Sequence, residues 1–232
     1  MIVGLWAILG LLVAALLNHL ADRLPGHEPV RPAPACRVCG KPYTRRQWLA
    51  ALASLTGKHR CQHCGAPLPA RRYALELGLA QLYALLAWRY GLASALVVAT
   101  FHASVLSLVA VTDLETRKVP NAVVLPAIAL TLLQTLITCP RCLPTALLGG
   151  AAAFLLFLLL TFLYMGFGDV VLAAYIGLIA GWPRVLVCLL VGVLAGGVAA
   201  AILLLSGRLS RRSYMAYAPY LALGGGLVLF FL

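Results

Sequence analysis

Residues 91–111, 146–165 and 185–205 each run for about 20 residues without a lysine, arginine, aspartate or glutamate, the length of helix that crosses the ~30 Å hydrocarbon core of a bilayer. That pattern limits the chain to few classes of fold. Of its 232 residues, 63% are hydrophobic and 10% charged, against roughly 25% charged in a soluble domain. A soluble fold could not cover itself with so little polar surface. The chain therefore reads as an all-α polytopic membrane protein. Apolar segments at about 1–18, 73–88, 91–111, 119–138, 144–165, 170–182, 185–205 and 213–232 predict about eight transmembrane helices. No basic residue precedes the first segment, unlike the start of a secretory signal. It reads as a retained first helix. The expected division is a first transmembrane helix at 1–20, a polar subdomain at 21–72, and a membrane-embedded domain of about seven helices at 73–232.

The net charge of +12 is best placed before it is interpreted. With eight spans, one set of loops carries 15 of the 18 lysines and arginines, and the other carries Arg89, Arg141 and Arg184. The positive-inside rule puts the rich side in the cytoplasm and both termini outside. Losing the short segment 170–182 would move Arg208, Arg211 and Arg212 outward and weaken the asymmetry, which favours keeping it. The basic charge suits anionic lipid headgroups, and nothing in it calls for nucleic acid. The arginines of the polar subdomain, Arg45 and Arg46 among them, are expected to face lipid headgroups.

Four of the seven cysteines lie in CRVCGKP and CQHCGAP, a C-x-x-C-G-x-P repeat holding Cys36, Cys39, Cys61 and Cys64. Each pair can give two thiolates to one metal, and the glycine permits the tight turn that follows. Four thiolates close a tetrahedral site, so zinc would be structural. It would also stabilise a segment too short to build much core. The competing reading is two disulfides, which are rare in the cytoplasm. His59 and His63 flank the second pair as substitute ligands. Cys139 and Cys142, in TCPRCLP, fall on the outer side and read either as a local disulfide or as two thiols. Cys188 reads as a small core residue.

The acids are Asp22, Glu28, Glu76, Asp113, Glu115 and Asp169. Glu76 lies near the start of the second span, where pairing with Arg72 at i,i+4 is the plain expectation. Asp113 ends the third apolar run and Asp169 begins the sixth, so topology puts both at the cytoplasmic edge of the bilayer. Either alone would serve as a helix cap. Together, at one depth, they can form a dyad in which one carboxylate activates water and the other donates a proton to the scissile carbonyl. Gly166 and Gly168, in GFGD, are expected to break the helix, turn the chain and admit a substrate backbone. Asp169 would then start a helix, where the dipole favours its ionised form, making it the base and Asp113 the acid. His102, mid-span, reads as a hydrogen-bonding residue of the bundle interior.

These motifs, in order, resemble the type IV prepilin peptidases, leader peptidase/N-methyltransferases of the GxGD class of membrane aspartyl proteases. The resemblance rests on LLNHLADRLPG, the two C-x-x-C pairs, RRYALELGLA, TDLETRKVPN, MGFGD and YAPYLALGG. It implies cleavage of the basic leader of type IV prepilins or pseudopilins after a glycine, on the cytoplasmic side of the bacterial inner membrane. It further implies catalysis by Asp113 and Asp169, zinc on the four cysteines, and in many members methylation of the new N-terminus with S-adenosylmethionine. The chain departs from the family in having Val171 where lysine is common and Ala218 where glycine is usual.

Two other classes compete. A non-catalytic zinc-containing scaffold for pilus or secretion-system assembly would tolerate loss of both aspartates. A thiol redox protein would carry titratable thiols and no metal.

Overall fold

The computed structural model describes residues 1–24, 33–161, 166–207 and 215–230. Glu28, Met165, Arg208, Arg211 and Arg212 lie outside them. Among the described residues there is no β-strand. The long helices are α1 (Ile2–Arg23), α3 (Ala70–Tyr90), α4 (Ser94–Thr116), α5 (Asn121–Thr138), α6 (Leu143–Thr161), α7 (Phe167–Ala180), α8 (Val185–Leu205) and α9 (Ala218–Val228), with a short α2 (Ala50–Leu55) between α1 and α3. Each expected apolar segment thus overlaps a helix among the described residues, the last of them, at 213–232, only over Ala218–Val228.

Five of these helices are long and apolar enough to cross a membrane: α1, α4, α5, α6 with the turn before it, and α8. The other three differ for separate reasons. Charged residues crowd the start of α3, where Arg71, Arg72 and Glu76 fall within its first two turns. α7 has 14 residues and α9 has 11, which at 1.5 Å per residue reach about 21 and 17 Å.

The chain forms two compact units, Met1–Ser104 and Val105–Leu232, with the boundary inside α4. In the first unit α1 lies so close to α3 that a Cβ at Gly10 would stand 2.8 Å from the Leu79 carbonyl oxygen. The Tyr83 hydroxyl bonds Ser104 Oγ at 2.7 Å and the Thr100 carbonyl at 3.2 Å, which fastens α3 to the start of α4.

In the second unit α7 is the enclosed element. Nine of its 14 residues are buried, so protein surrounds it and its short length leaves little of it to meet lipid. A Cβ at Gly149 of α6 would stand 2.5 Å from the Gly177 carbonyl oxygen of α7. Tyr175 hydrogen-bonds Thr131 of α5. Contacts this close, made through small residues and buried hydroxyls, are how helices associate where lipid removes the hydrophobic drive. The outer helices turn Leu155, Leu159, Leu190, Leu194 and Val198 outward, all exposed, as lipid-facing positions require.

Candidate functional site

The two cysteine pairs fold as copies of one local structure. In the first, Gly40 N–H donates to the Cys36 carbonyl at 2.8 Å and Cys36 N–H to Lys41 at 2.9 Å; in the second, Gly65 donates to Cys61 at 2.9 Å and Cys61 to Ala66 at 2.8 Å. Gly40 and Gly65 both hold the left-handed conformation, at φ 70° and 72°, which favours glycine at each turn. A single bridge closes each copy, Ala35 with Pro42 and Arg60 with Pro67.

Facing each other, the copies bring the four sulfurs within 4.8 Å of one another. Cys36 Sγ is 3.7 Å from Cys64 Sγ, and Cys39 Sγ is 3.8 Å from Cys61 Sγ. A tetrahedral ion with metal–sulfur bonds of about 2.3 Å sets its sulfurs about 3.8 Å apart. The cluster can therefore hold a metal ion, and its dimensions suit zinc. Neither His59 nor His63 belongs to it. Burial works against ionising Cys36, but the Cys39 and Val38 N–H groups, with Tyr43 and Cys64, bring its thiol down to about 6. For Cys64, the Ala66 N–H favours the thiolate, yet burial and the three facing sulfurs push it up to about 12. A divalent cation would relieve that conflict between neighbouring thiolates.

Gln47, which sequence reasoning missed, joins the copies. Its amide donates to the carbonyls of Lys58 and Arg60 at 3.1 and 2.7 Å, and its oxygen accepts from Thr44. Arg45 and Arg46 are exposed. Glu76 departs from its expected role. Its two carboxylate oxygens accept the N–H groups of Ala50 and Ala51, each at 2.8 Å, so it caps α2. Arg72 remains within electrostatic reach of Glu76. Its guanidinium, however, packs on the Tyr43 ring and donates to the Trp48 carbonyl at 3.3 Å. The head of α3 is thus bound to the cysteine subdomain, and Arg72 and Glu76 were legible only as a local pair.

Asp113 lies in the last turn of α4, 5% exposed. The chain leaves that helix through Arg117, whose φ of 54° is left-handed and whose N–H bonds the Asp113 carbonyl at 2.8 Å. Asp113 Oδ2 accepts the N–H of Ala218 at 3.0 Å, and the neighbouring Tyr217 N–H also acts on that carboxylate. Asp169 lies in the first turn of α7, its N–H donating to the Gly166 carbonyl at 3.0 Å. The two carboxylates act on each other electrostatically.

The two glycines of the motif are not equivalent. Gly166 is extended, at φ −75° and ψ 144°, a conformation open to any residue. A Cβ there would meet only Asp169 Oδ2, at an ordinary 3.6 Å. Gly168 faces the turn between α4 and α5: a Cβ there would come within 2.7 Å of Val119 Cβ. The structure gives Gly168 a packing role beside the expected one of admitting substrate backbone. Its bare face lets the start of α7 touch the segment that follows Asp113.

Three other expectations resolve. Cys139 and Cys142 form a disulfide across the turn from α5 to α6. Cys188 is buried on α8. His102 is buried and its ring packs edge-on against Phe101, with centroids 5.2 Å apart.

The sequence matches the type IV leader peptidase family over residues 100–201 and the bacterial peptidase A24 N-terminal domain over residues 8–90. It is 30% identical to a prepilin leader peptidase/N-methyltransferase of Pseudomonas putida over 255 residues, covering 96% of this chain and 88% of the relative. It is 29% identical to the protein of that name from Bacillus subtilis over 221 residues, covering 94% and 89%. A relative from Pseudomonas aeruginosa is 28% identical, covering 96% and 88%. No solved structure matches the chain. With both halves matched and full-length relatives alike, the chain is an enzyme of the type IV leader peptidase family.

Proposed function

We propose that this enzyme is a membrane aspartyl endopeptidase that removes the basic leader of type IV prepilins and pilin-like precursors at the cytoplasmic face of the bacterial inner membrane. Asp113 and Asp169 are its catalytic pair, supported by Gly166 and Gly168. The observation that carries this reading is the close approach of Gly168 to Val119, which joins the turn after one acid to the helix that begins with the other. One carboxylate takes a proton from water as the water oxygen attacks the scissile carbonyl carbon. The other gives its proton to the carbonyl oxygen. Collapse of the tetrahedral intermediate breaks the C–N bond, and the leaving nitrogen takes a proton to become the new N-terminal amine. Two carboxylates that act on each other electrostatically share their titration.

Cys36, Cys39, Cys61 and Cys64 hold a structural zinc in the subdomain at 21–72, and residues 73–232 form the protease domain. Eight crossings, with α3, α7 and α9 among them, agree with the basic-rich loops lying in the cytoplasm. The Cys139–Cys142 disulfide supports the same orientation, because disulfides persist outside the cytoplasm. It lies at the ends of α5 and α6 opposite to Asn121 and Thr161, on which side the acids fall. The names of the relatives pair peptidase with N-methyltransferase. S-adenosylmethionine, when bound, would supply a methyl group to the new amine; no residue here is assigned to it. The test is mass spectrometry of a pilin-like precursor incubated with enzyme and S-adenosylmethionine. Cleavage is expected with the native chain and lost in Asp113→Asn and Asp169→Asn. Full cleavage by either variant overturns the reading.

A further inference from the structure

α9 is held closely on two sides, by backbone of α8 and by a side chain of α7. Against α8, a Cβ at Gly192 would stand 3.1 Å from the Tyr220 carbonyl oxygen, and one at Gly224 would collide with the Cys188 carbonyl oxygen. Against α7, a Cβ at Gly225 would stand 2.9 Å from Ile176 Cγ1. At the head of α9 the Tyr217 ring lies on Gly196 of α8, where a Cβ would come within 2.6 Å of Tyr217 Cε2 and 3.2 Å of Cδ2 and Cζ. The next residue, Ala218, is fully buried and gives its N–H to Asp113 Oδ2 at 3.0 Å. The same helix therefore bonds one acid through its first residue and packs on the helix whose first turn carries the other.

We propose that the Tyr217–Ala218 turn is a positioning element of the catalytic site: its N–H groups fix the Asp113 carboxylate opposite Asp169, and the seat of the Tyr217 ring on Gly196 fixes the turn. This role rests on the aspartyl endopeptidase reading. Two backbone N–H groups on one carboxylate set its rotation, and α7 and α8 hold the turn that supplies them. A carboxylate fixed in this way needs no reorganisation when water and substrate arrive.

The test compares Gly196→Ala with Gly197→Ala in purified full-length enzyme on a pilin-like precursor. Gly197 is one residue along the same helix, with nothing within 4 Å of a Cβ, so its variant should keep native kinetics. In Gly196→Ala the ring must move. Because misplacing a reacting group by about 1 Å can cost on the order of 100-fold, kcat should fall at least ~10-fold while KM stays within ~2-fold. Tyr217→Ala removes the ring that clashes, so adding Gly196→Ala to it should cost less than about 2-fold more, as coupled sites require. A native kcat in Gly196→Ala overturns the proposal. So does an equal cost of Gly196→Ala in both backgrounds, or a loss confined to KM. Complete inactivity of Tyr217→Ala in protein that still accumulates would put Tyr217 in the chemistry itself and also overturn it. Asp113→Asn runs in parallel: full activity there removes the aspartyl reading, whereas the Gly196 results bear on positioning alone.

Discussion

Replacing Gly168 by alanine sets two effects of opposite sign against each other. Gly168 lies in the first turn of α7, and by helix propensity alone alanine should stabilise it by up to about 1 kcal/mol. The added methyl, however, would stand 2.7 Å from Val119 Cβ and 3.1 Å from its Cγ2, where carbon atoms prefer about 3.5–4.0 Å. Relief requires the turn after Asp113 and the start of α7 to separate by roughly 1 Å, and overpacking of this kind costs about 1–3 kcal/mol. The clash therefore outweighs the propensity gain, and the separation falls between the elements that carry the two acids. Cleavage of a pilin-like precursor, followed by gel shift with purified enzyme, should show kcat reduced on the order of 100-fold. The distances also specify the rescue. Val119→Ala keeps the Cβ and should restore little. Val119→Gly removes it and leaves Val119 Cα at 3.7 Å, an ordinary contact, so Gly168→Ala with Val119→Gly should recover most of the loss. Native activity in Gly168→Ala would refute this reasoning. So would failure of Val119→Gly, or equal rescue by Val119→Ala; either would return the glycine to a role in admitting substrate.

Other outcomes follow from the same geometry. Purified protein should carry one zinc per chain by elemental analysis, and Cys36→Ser should lose it with increased proteolysis within 33–69; abundant titratable thiols in metal-free native protein would contradict this. Glu76→Gln keeps the shape but leaves one oxygen to accept and turns an amide NH2 toward the other of the Ala50 and Ala51 N–H groups, so thermal unfolding should show a loss of roughly 1–3 kcal/mol. An unchanged midpoint would remove Glu76 as the cap of α2. Loss of precursor cleavage in both aspartate-to-asparagine variants, with normal accumulation, remains the direct test of the catalytic pair.

What the sequence makes legible here is whatever it encodes locally. Apolar runs marked the long helices because an uninterrupted apolar segment is written locally, and five of them are long enough to cross a membrane. The C-x-x-C-G-x-P repeat showed the four-cysteine cluster because each copy closes on itself within a few residues. Asp113 and Asp169 stood out as rare charges beside greasy runs. Contacts between distant segments were hidden. Nothing in GFGD names Val119 as the reason for Gly168, and nothing near Asp113 points to the N–H groups of Tyr217 and Ala218. Glu76 seemed to have a partner four residues away, and its real bonds go to α2. The length of α7 misled in another way: a helix enclosed by protein need not meet the hydrocarbon thickness that bounds its neighbours.

The cap that Glu76 places on α2 ties two events usually treated apart. Those bonds exist only while the subdomain is folded, and with an ion on the four cysteines the folding of so small a unit would follow metal occupancy. Release of the ion would strip a buried carboxylate on α3 of both its donors. Ion binding and the seating of a helix that bears Arg72 and Glu76 are then thermodynamically linked, and the linkage is reciprocal. A change that loosens α3 would then lower metal affinity by the same factor that metal loss loosens α3.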